Sequence, residues 1–228
     1  MKKILISDYD DTFFTNESEL LKNMETINSF RKKNNLFVIA TARSWNSIKE
    51  EIKKYNIKYD YILCNMGAGI FDNKGNKLYA NYISKKEKEE FEKILERSNT
   101  YSLKTTRFGI PDEQEKDSSE VVGYKFKGDV ESLEELKNKV DSKFPFFEIT
   151  LKKEQEKLFI NHKTNTKENG IKKLYDLLPK DDYKIITIGD DDVDYNMIKI
   201  YDGYRMEKSS ELLSKNVEKK AKAVREII

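Results

Sequence analysis

The apolar positions of this chain follow two rhythms that alternate. KKILIS (2–7), LFVIAT (36–41) and YKIITIGD (183–190) are short and apolar almost throughout, which predicts strands buried on both faces. Between the first two, ESELLKNMETINSFRKKN (17–34) sets Leu20, Leu21, Met24, Ile27 and Phe30 at helical spacing. Ser44 opens a second amphipathic helix, SWNSIKEEIKKY, with Trp45 packed on the helix it begins. YDYILCNMGAGIFD (59–72) predicts a third strand followed by a glycine turn. Late in the chain TKENGIKKLYDLL (166–178) and VDYNMIKIY are helical, Gly203 to Met206 forms a last strand, and SSELLSKNVEKKAKAVREII (209–228) is a helical tail. Alternating strands and helices with strands apolar throughout predict an α/β protein with a Rossmann-like parallel sheet covered on both faces.

Residues 83–163 break the alternation. ISKKEKEEFEKILER (83–97) is a charged helix whose Ser84 and Glu87 fit a capping box. YSLKTTR (101–107) and EVVGYKFK (120–127) read as strands around an exposed polar loop, GIPDEQEKDSS (109–119). DVESLEELKNKVDSKF (129–144) is a helix capped by Asp129, and FFEITLKKEQEKLFINH (146–162) is two strands about a polar turn. The order αββαββ predicts an inserted α+β domain at 83–163, with the α/β core formed by 1–82 and 164–228.

Composition narrows the partners. Lys+Arg (43) and Asp+Glu (41) nearly cancel, so the net charge of +2 gives no electrostatic ground for binding nucleic acid or an anionic membrane. One cysteine, Cys64, excludes an internal disulfide and a cysteine-rich metal site, and one histidine, His162, argues against a histidine zinc site. The start lacks a signal-peptide core, and no window reaches the roughly 20 apolar residues of a membrane helix, so a cytoplasmic location is expected.

Chemistry concentrates at the carboxyl ends of the predicted strands, where open α/β sheets bind ligands. Strand one ends at Asp8 and Asp10, strand two at Thr41, and the late strand at Asp190, followed by Asp191, Asp192 and Asp194; Lys167 starts the helix after the insertion. Two carboxylates two residues apart on an extended segment project to one side, and Asp190 from a neighbouring strand completes an oxygen cage suited to Mg²⁺. With a hydroxyl and an ammonium nearby, such a site has what phosphoryl transfer needs.

Taken together, DYDDT (8–12), TAR (41–43), Lys167 and GDDDVD (189–194) resemble, in order, the four motifs of the haloacid dehalogenase superfamily. CNMGAGIFDNKGN (64–76) and the inserted segment are similar to its Cof-like sugar-phosphatase branch, and the resemblance runs through the whole chain. It implies an inserted cap domain and a Mg²⁺-dependent phosphatase acting on a small phosphomonoester. Asp8 matches the nucleophile and Asp10 the general acid/base. The Mg²⁺ ligands match the Asp8 side chain, the Asp10 backbone carbonyl and Asp190, with Asp194 supporting the metal shell. Thr41 and Lys167 match the phosphate-binding pair, the Ala42 N–H offers a further donor, and Asn65 lies beside the site. Relatives usually have Gly where Asp11, Ala42 and Glu168 stand and often Asn where Val193 stands; Glu168 weakens phosphate attraction if it points inward.

Each residue alone has a plainer reading: acidic turns follow many strands, Asp-rich helix starts are favoured by capping, and lysines face solvent. Order and position at strand ends favour the chemical reading. His162 and Cys64 are expected to be structural, Arg43 orients the phosphate loop or forms a surface pair, and Arg107 and Lys125 lie on a charged solvent face. Two other functions fit the same residues. A phosphomutase would return the phosphoryl group to the sugar. A receiver-like signalling module would use similar residues, but in a different chain order and without the insertion.

Overall fold

The computed structural model describes residues 1–97, 103–109, 113–114 and 120–228. The chain divides into two compact units, one of Met1–Tyr79 with Thr166–Ile228 and one of Ala80–Asn165. The larger begins β1 (Lys2–Ser7), α1 (Glu17–Lys32), β2 (Leu36–Ala40), α2 (Trp45–Tyr55), β3 (Tyr61–Cys64), β4 (Gly69–Asp72) and β5 (Lys77–Ala80). Asn16 caps α1 by accepting the Glu19 N–H at 3.0 Å, and two glutamates in the first turn suit its dipole. Leu20, Ile27 and Phe30 are buried on that helix, whereas Leu21 lies off the apolar stripe and faces solvent. Trp45 stacks not on its own helix but on Phe71 of β4, the ring centroids 3.9 Å apart, because the flat indole finds its largest apolar partner there.

The smaller unit runs α3 (Lys85–Arg97), β6 (Lys104–Gly109), β7 (Glu113–Gln114), β8 (Val121–Lys127), α4 (Val130–Asp141), β9 (Phe147–Lys152) and β10 (Lys157–His162). Its strands form one antiparallel sheet, order β7-β6-β8-β10-β9. The Ser84–Glu87 capping box is present, with Ser84 N–H to Glu87 at 2.9 Å and Glu87 N–H to Ser84 at 3.3 Å. Asp129 likewise caps α4 through the Ser132 N–H at 2.8 Å. Strand β7 lies in the stretch read from its polarity as a loop; it pairs antiparallel with β6. The rest of that loop, 110–112 and 115–119, and positions 101–102 of the preceding strand reading lie outside the described residues.

The larger unit then resumes with α5 (Lys167–Leu177), β11 (Tyr183–Gly189), α6 (Tyr195–Ile200), β12 (Tyr204–Met206), α7 (Glu211–Asn216) and β13 (Lys220–Ala221). The tail is therefore not one helix. Only Glu211–Asn216 is α-helical, Val224–Ile227 makes a 3-10 turn, and Lys220–Ala221 adds an edge strand parallel to β12, with Ala221 and Val224 buried.

The larger sheet has the order β13-β12-β11-β1-β2-β3-β4-β5, and its pairs from β13 to β3 are parallel. Alternate strand residues face opposite sides. Ile4, Ile6, Val38, Ala40 and Leu63 pack with Ile171, Leu174, Met197 and Ile198 of α5 and α6. Leu5, Phe37 and Ile39 are equally buried, and the Phe13 ring lies 4.9 Å from Phe37. From β1 the order runs one way through β2 and β3 and the other way through β11 and β12. The β1/β11 boundary is thus a switch point, where the connections diverge and leave a crevice at the strand ends.

Candidate functional site

The Asp8 N–H donates to the Ile188 carbonyl at 3.0 Å and carries the β1–β11 pairing one residue past the strand. The chain then turns: Phe13 N–H returns to the Asp8 carbonyl at 3.2 Å and Phe14 N–H to the Tyr9 carbonyl at 2.8 Å. Tyr9 and Phe13 are fully buried and anchor the turn. Asp11 sits within it at φ 56, the left-handed region where glycine is at ease and Asp is among the few tolerated side chains.

Lys167 is the first residue of α5, capped by Thr166. Two glycines set the helix start. A Cβ on Gly170 would fall 2.8 Å from the Gly67 Cα, so backbone meets backbone there. The Lys167 ammonium, 1% exposed, donates to Asp8 Oδ1 at 2.5 Å and to Asp194 Oδ1 at 2.7 Å. The other Asp194 oxygen accepts the Asp190 and Asp191 N–H groups at 3.1 and 3.2 Å. This fold-back requires glycine at 189, where a Cβ would lie 2.3 Å from the Asp194 Cγ. Thr12 Oγ1 donates to Asp190 Oδ1 at 2.5 Å.

Asp8, Asp190 and Asp194 each offer an oxygen within 4.8 Å of the others. Three carboxylates against one ammonium leave two negative charges, partly or wholly buried, which matches a divalent cation in charge and in ligand hardness. The titration of the metal-free chain points the same way. Burial pushes Asp8 well above the usual carboxylate range, with Lys167 opposing and Asp194 adding to the rise. Burial also pushes Asp190 up to about 6 against the pull of the Thr12 hydrogen bond. Burial alone would lower Lys167, but the charges of Asp194 and Asp8 outweigh it and hold the ammonium protonated.

Asp10 is not in this cluster. The sequence pattern puts it on the same side as Asp8, but the strand ends at Ser7 and the turn redirects it. Its carboxylate takes a two-pronged contact from Arg43, Nε to Oδ2 at 2.9 Å and NH2 to Oδ1 at 2.7 Å. Arg43 also reaches Glu51 at 3.3 Å and lies over the Tyr9 ring, whose hydroxyl donates to Glu51 at 3.2 Å. The sequence offers Arg43 two readings, orienting the phosphate loop or forming a surface pair, and assigns no task to Glu51, Tyr9 or Thr12. Only the threonine of D-x-D-x-T carried a usable signal, because the other three meet through folding.

Thr41 is buried at the end of β2, and its hydroxyl oxygen accepts the Arg43 N–H at 3.1 Å. Ala42 is exposed beside it. Asn65, at φ 47, donates its N–H to the Arg43 carbonyl at 2.8 Å, and Met66 donates to the Thr41 carbonyl at 3.0 Å, so the 65–67 turn braces the 41–43 loop. Glu168 accepts from Asn196 Nδ2 at 3.0 Å on the α6 side, and Val193 faces solvent. Beside Asp190 opens a polar cavity of about 1110 Å³, lined in part by Asp11, Lys208, Lys222 and Arg225. In the smaller unit His162 Nδ1 lies 2.7 Å from Thr164 Oγ1, its ring stacked on Phe146, and Cys64 in the larger unit is a buried free thiol. Arg107 donates to Glu92 at 2.8 Å and is half-buried, not on a solvent face.

Known proteins share this architecture. A haloacid dehalogenase-like hydrolase from Bacteroides thetaiotaomicron superposes with a TM-score of 0.81 at 17% identity, covering 99% of this chain and 98% of that one. A haloacid dehalogenase subclass IIB sugar phosphatase gives a TM-score of 0.71 at 17% identity, over 96% and 93% of the two chains. By sequence, an uncharacterized protein of Mycoplasma capricolum is 36% identical over 92 residues, which is 38% of this chain and 34% of that protein. Among the described residues no helix is long and apolar enough to cross a membrane. Residues 5–109 and 99–226 match the family model for haloacid dehalogenase-like hydrolases, and it is to that family that the chain belongs.

Proposed function

We propose that this protein is a Mg²⁺-dependent phosphatase that hydrolyses a small phosphomonoester, with sugar phosphates the favoured class, through an aspartyl-phosphate on Asp8. The observation that carries this reading is the buried Lys167 ammonium bridging Asp8 and Asp194 within a carboxylate cluster at the sheet's switch point. Asp8, Asp190 and Asp194, with the Asp10 backbone carbonyl, would hold the ion. When bound, it neutralises charge on the cluster and on the phosphoryl oxygens.

An Asp8 carboxylate oxygen attacks phosphorus while the bond to the leaving oxygen breaks. That oxygen leaves with the electron pair and takes a proton from Asp10. A water molecule then attacks the phosphorus and gives its proton to Asp10. The bond between phosphorus and the Asp8 oxygen breaks, which restores the carboxylate and releases phosphate. Lys167, the Thr41 hydroxyl and the Ala42 N–H hold the phosphoryl oxygens through both steps, and Asn65 borders them. In this reading 1–82 with 164–228 is the catalytic core, 83–163 is the cap that selects substrate, and the location is cytoplasmic.

The test is an assay of a panel of phosphorylated metabolites with and without EDTA. We expect phosphate release that EDTA abolishes and that Asp8→Asn lowers by at least about 10³-fold. Full activity of Asp8→Asn would overturn the mechanism. An isomerised sugar phosphate in place of free phosphate would identify a phosphomutase. Slow loss of phosphate from Asp8 without turnover of free substrate would identify a signalling module.

A further inference from the structure

Of the four acids assigned to the site, Asp8, Asp10, Asp190 and Asp194, Asp10 is the one held by an arginine, its side chain 48% accessible. The contact is a fork: Nε and NH2 of Arg43 span both Asp10 oxygens. A fork of this kind fixes the carboxylate plane, which a lysine point charge cannot do. Arg43 is itself immobilised from three directions. Its third nitrogen reaches Glu51 at 3.3 Å, its plane lies 5.2 Å over the Tyr9 ring, and its backbone N–H is tied to Thr41 at 3.1 Å. Tyr9 closes the circuit with its bond to Glu51, so the loop after β1, the loop after β2 and helix α2 all fix one carboxylate. A bracing of this extent exceeds what stability explains, since half-exposed ion pairs contribute little. Without the fork, a carboxylate two residues from Asp8 and beside a net-negative cluster would be free to swing away, out of reach of a leaving oxygen.

We propose that Arg43 is a positioning residue for Asp10, holding its carboxyl group apart from the Asp8–Asp190–Asp194 cluster and in the orientation that serves the leaving oxygen. The inference rests on the phosphatase reading above. It differs from direct phosphate binding by Arg43 in what it predicts, because a positioned acid matters only where the leaving group needs a proton.

The experiment compares kcat/KM, which reports the step that breaks the bond to the leaving group, on glycerol phosphate and on dinitrophenyl phosphate. Arg43→Gln is expected to lower kcat/KM for the alkyl ester by about 10²-fold and for the dinitrophenyl ester by less than about threefold. Arg43→Lys recovers part of the alkyl activity, and adding Asp10→Asn to Arg43→Gln costs no more than Asp10→Asn alone. Inhibition by inorganic phosphate stays at the wild-type level. Equal losses on both esters with weakened phosphate inhibition would overturn the proposal and make Arg43 a phosphate ligand. Additive losses in the double variant would also overturn it. Should Arg43→Gln fail to fold by thermal melting, Glu51→Gln, which loosens the brace alone, is expected to show the same leaving-group dependence at smaller size; its absence would count against the proposal. A wild type inert toward both esters and every other phosphate ester would remove the phosphatase reading and this inference with it, whereas an active wild type with equal losses removes the inference only.

Discussion

In the smaller unit charge lies outside and aromatic rings lie inside. Lys137 pairs with Asp141, Lys139 with Glu135 and Lys153 with Glu134 at the surface, while Phe91 packs with Tyr124, Phe144 and Phe147 at centroid distances of 4.6, 5.7 and 5.4 Å. Its most buried charged residue among those described, Lys88, pairs with Glu92, which stays a quarter exposed and also answers to Arg107 and Tyr124. The larger unit has an apolar core of the same kind, yet it buries Lys167, Asp194 and Asp8 together at one strand end. Surface pairs contribute little to stability, and buried ones can cost more in lost hydration than attraction returns. The difference teaches where to look for chemistry: a place where a fold buries several charges together without a stability reason.

The sharpest way to break that contrast is to remove the buried cation. Lys167→Met is expected to lower kcat/KM by about 10³-fold and, in EDTA, to destabilise by about 3–5 kcal/mol, because two buried carboxylates lose their partner. Denaturant unfolding and a phosphate-release assay check both. A variant as stable and active as the wild type would make Lys167 ornamental. In the smaller unit the counterpart is apolar. Phe91→Ala should cost about 3–4 kcal/mol in the same unfolding measurement, and Lys137→Ala, removing a surface pair, less than about 0.5 kcal/mol.

Acidity tests the cluster more gently. Folding raises Asp190 to about 6 in the metal-free chain, so the folded state holds more protons than the unfolded state, whose carboxyl titrates near 3.8. In EDTA this contribution is therefore lost as pH rises from about 4 to about 6, seen as a melting temperature that falls by a few degrees relative to Asp190→Asn over that window. Mg²⁺ at neutral pH should recover it. One small effect is a gain: Asp11→Gly relieves a left-handed aspartate and stabilises by up to about 1 kcal/mol, read by melting temperature.

The parallel strands and the caps at Ser84 and Asp129 were legible because each is specified within a few residues: a buried strand needs an apolar run, and a cap needs one side-chain oxygen three positions from an N–H. Strands β7 and β13 were not legible. Glu113–Gln114 and Lys220–Ala221 pair through backbone at sheet edges, and backbone pairing leaves no mark on side-chain type. The grouping of Asp8, Asp190, Asp194 and Lys167 at one strand end followed from motif order, whereas the turn of Asp10 onto Arg43 did not. That contact depends on where a non-strand turn points its side chains, and alternation along an extended segment is the wrong geometry once the strand has ended at Ser7.

The meeting of Gly67 and Gly170 has a consequence for how this architecture tolerates change. The helix bearing Lys167 follows directly on the inserted unit in sequence, yet its first turn is seated on the 65–67 turn through main-chain contact inside the larger unit. A seat made of backbone carries no side-chain code to be kept matched. The intervening segment is therefore open to wholesale replacement during evolution or in engineered chimaeras, and the ammonium keeps its address so long as two positions carry no side chain at all.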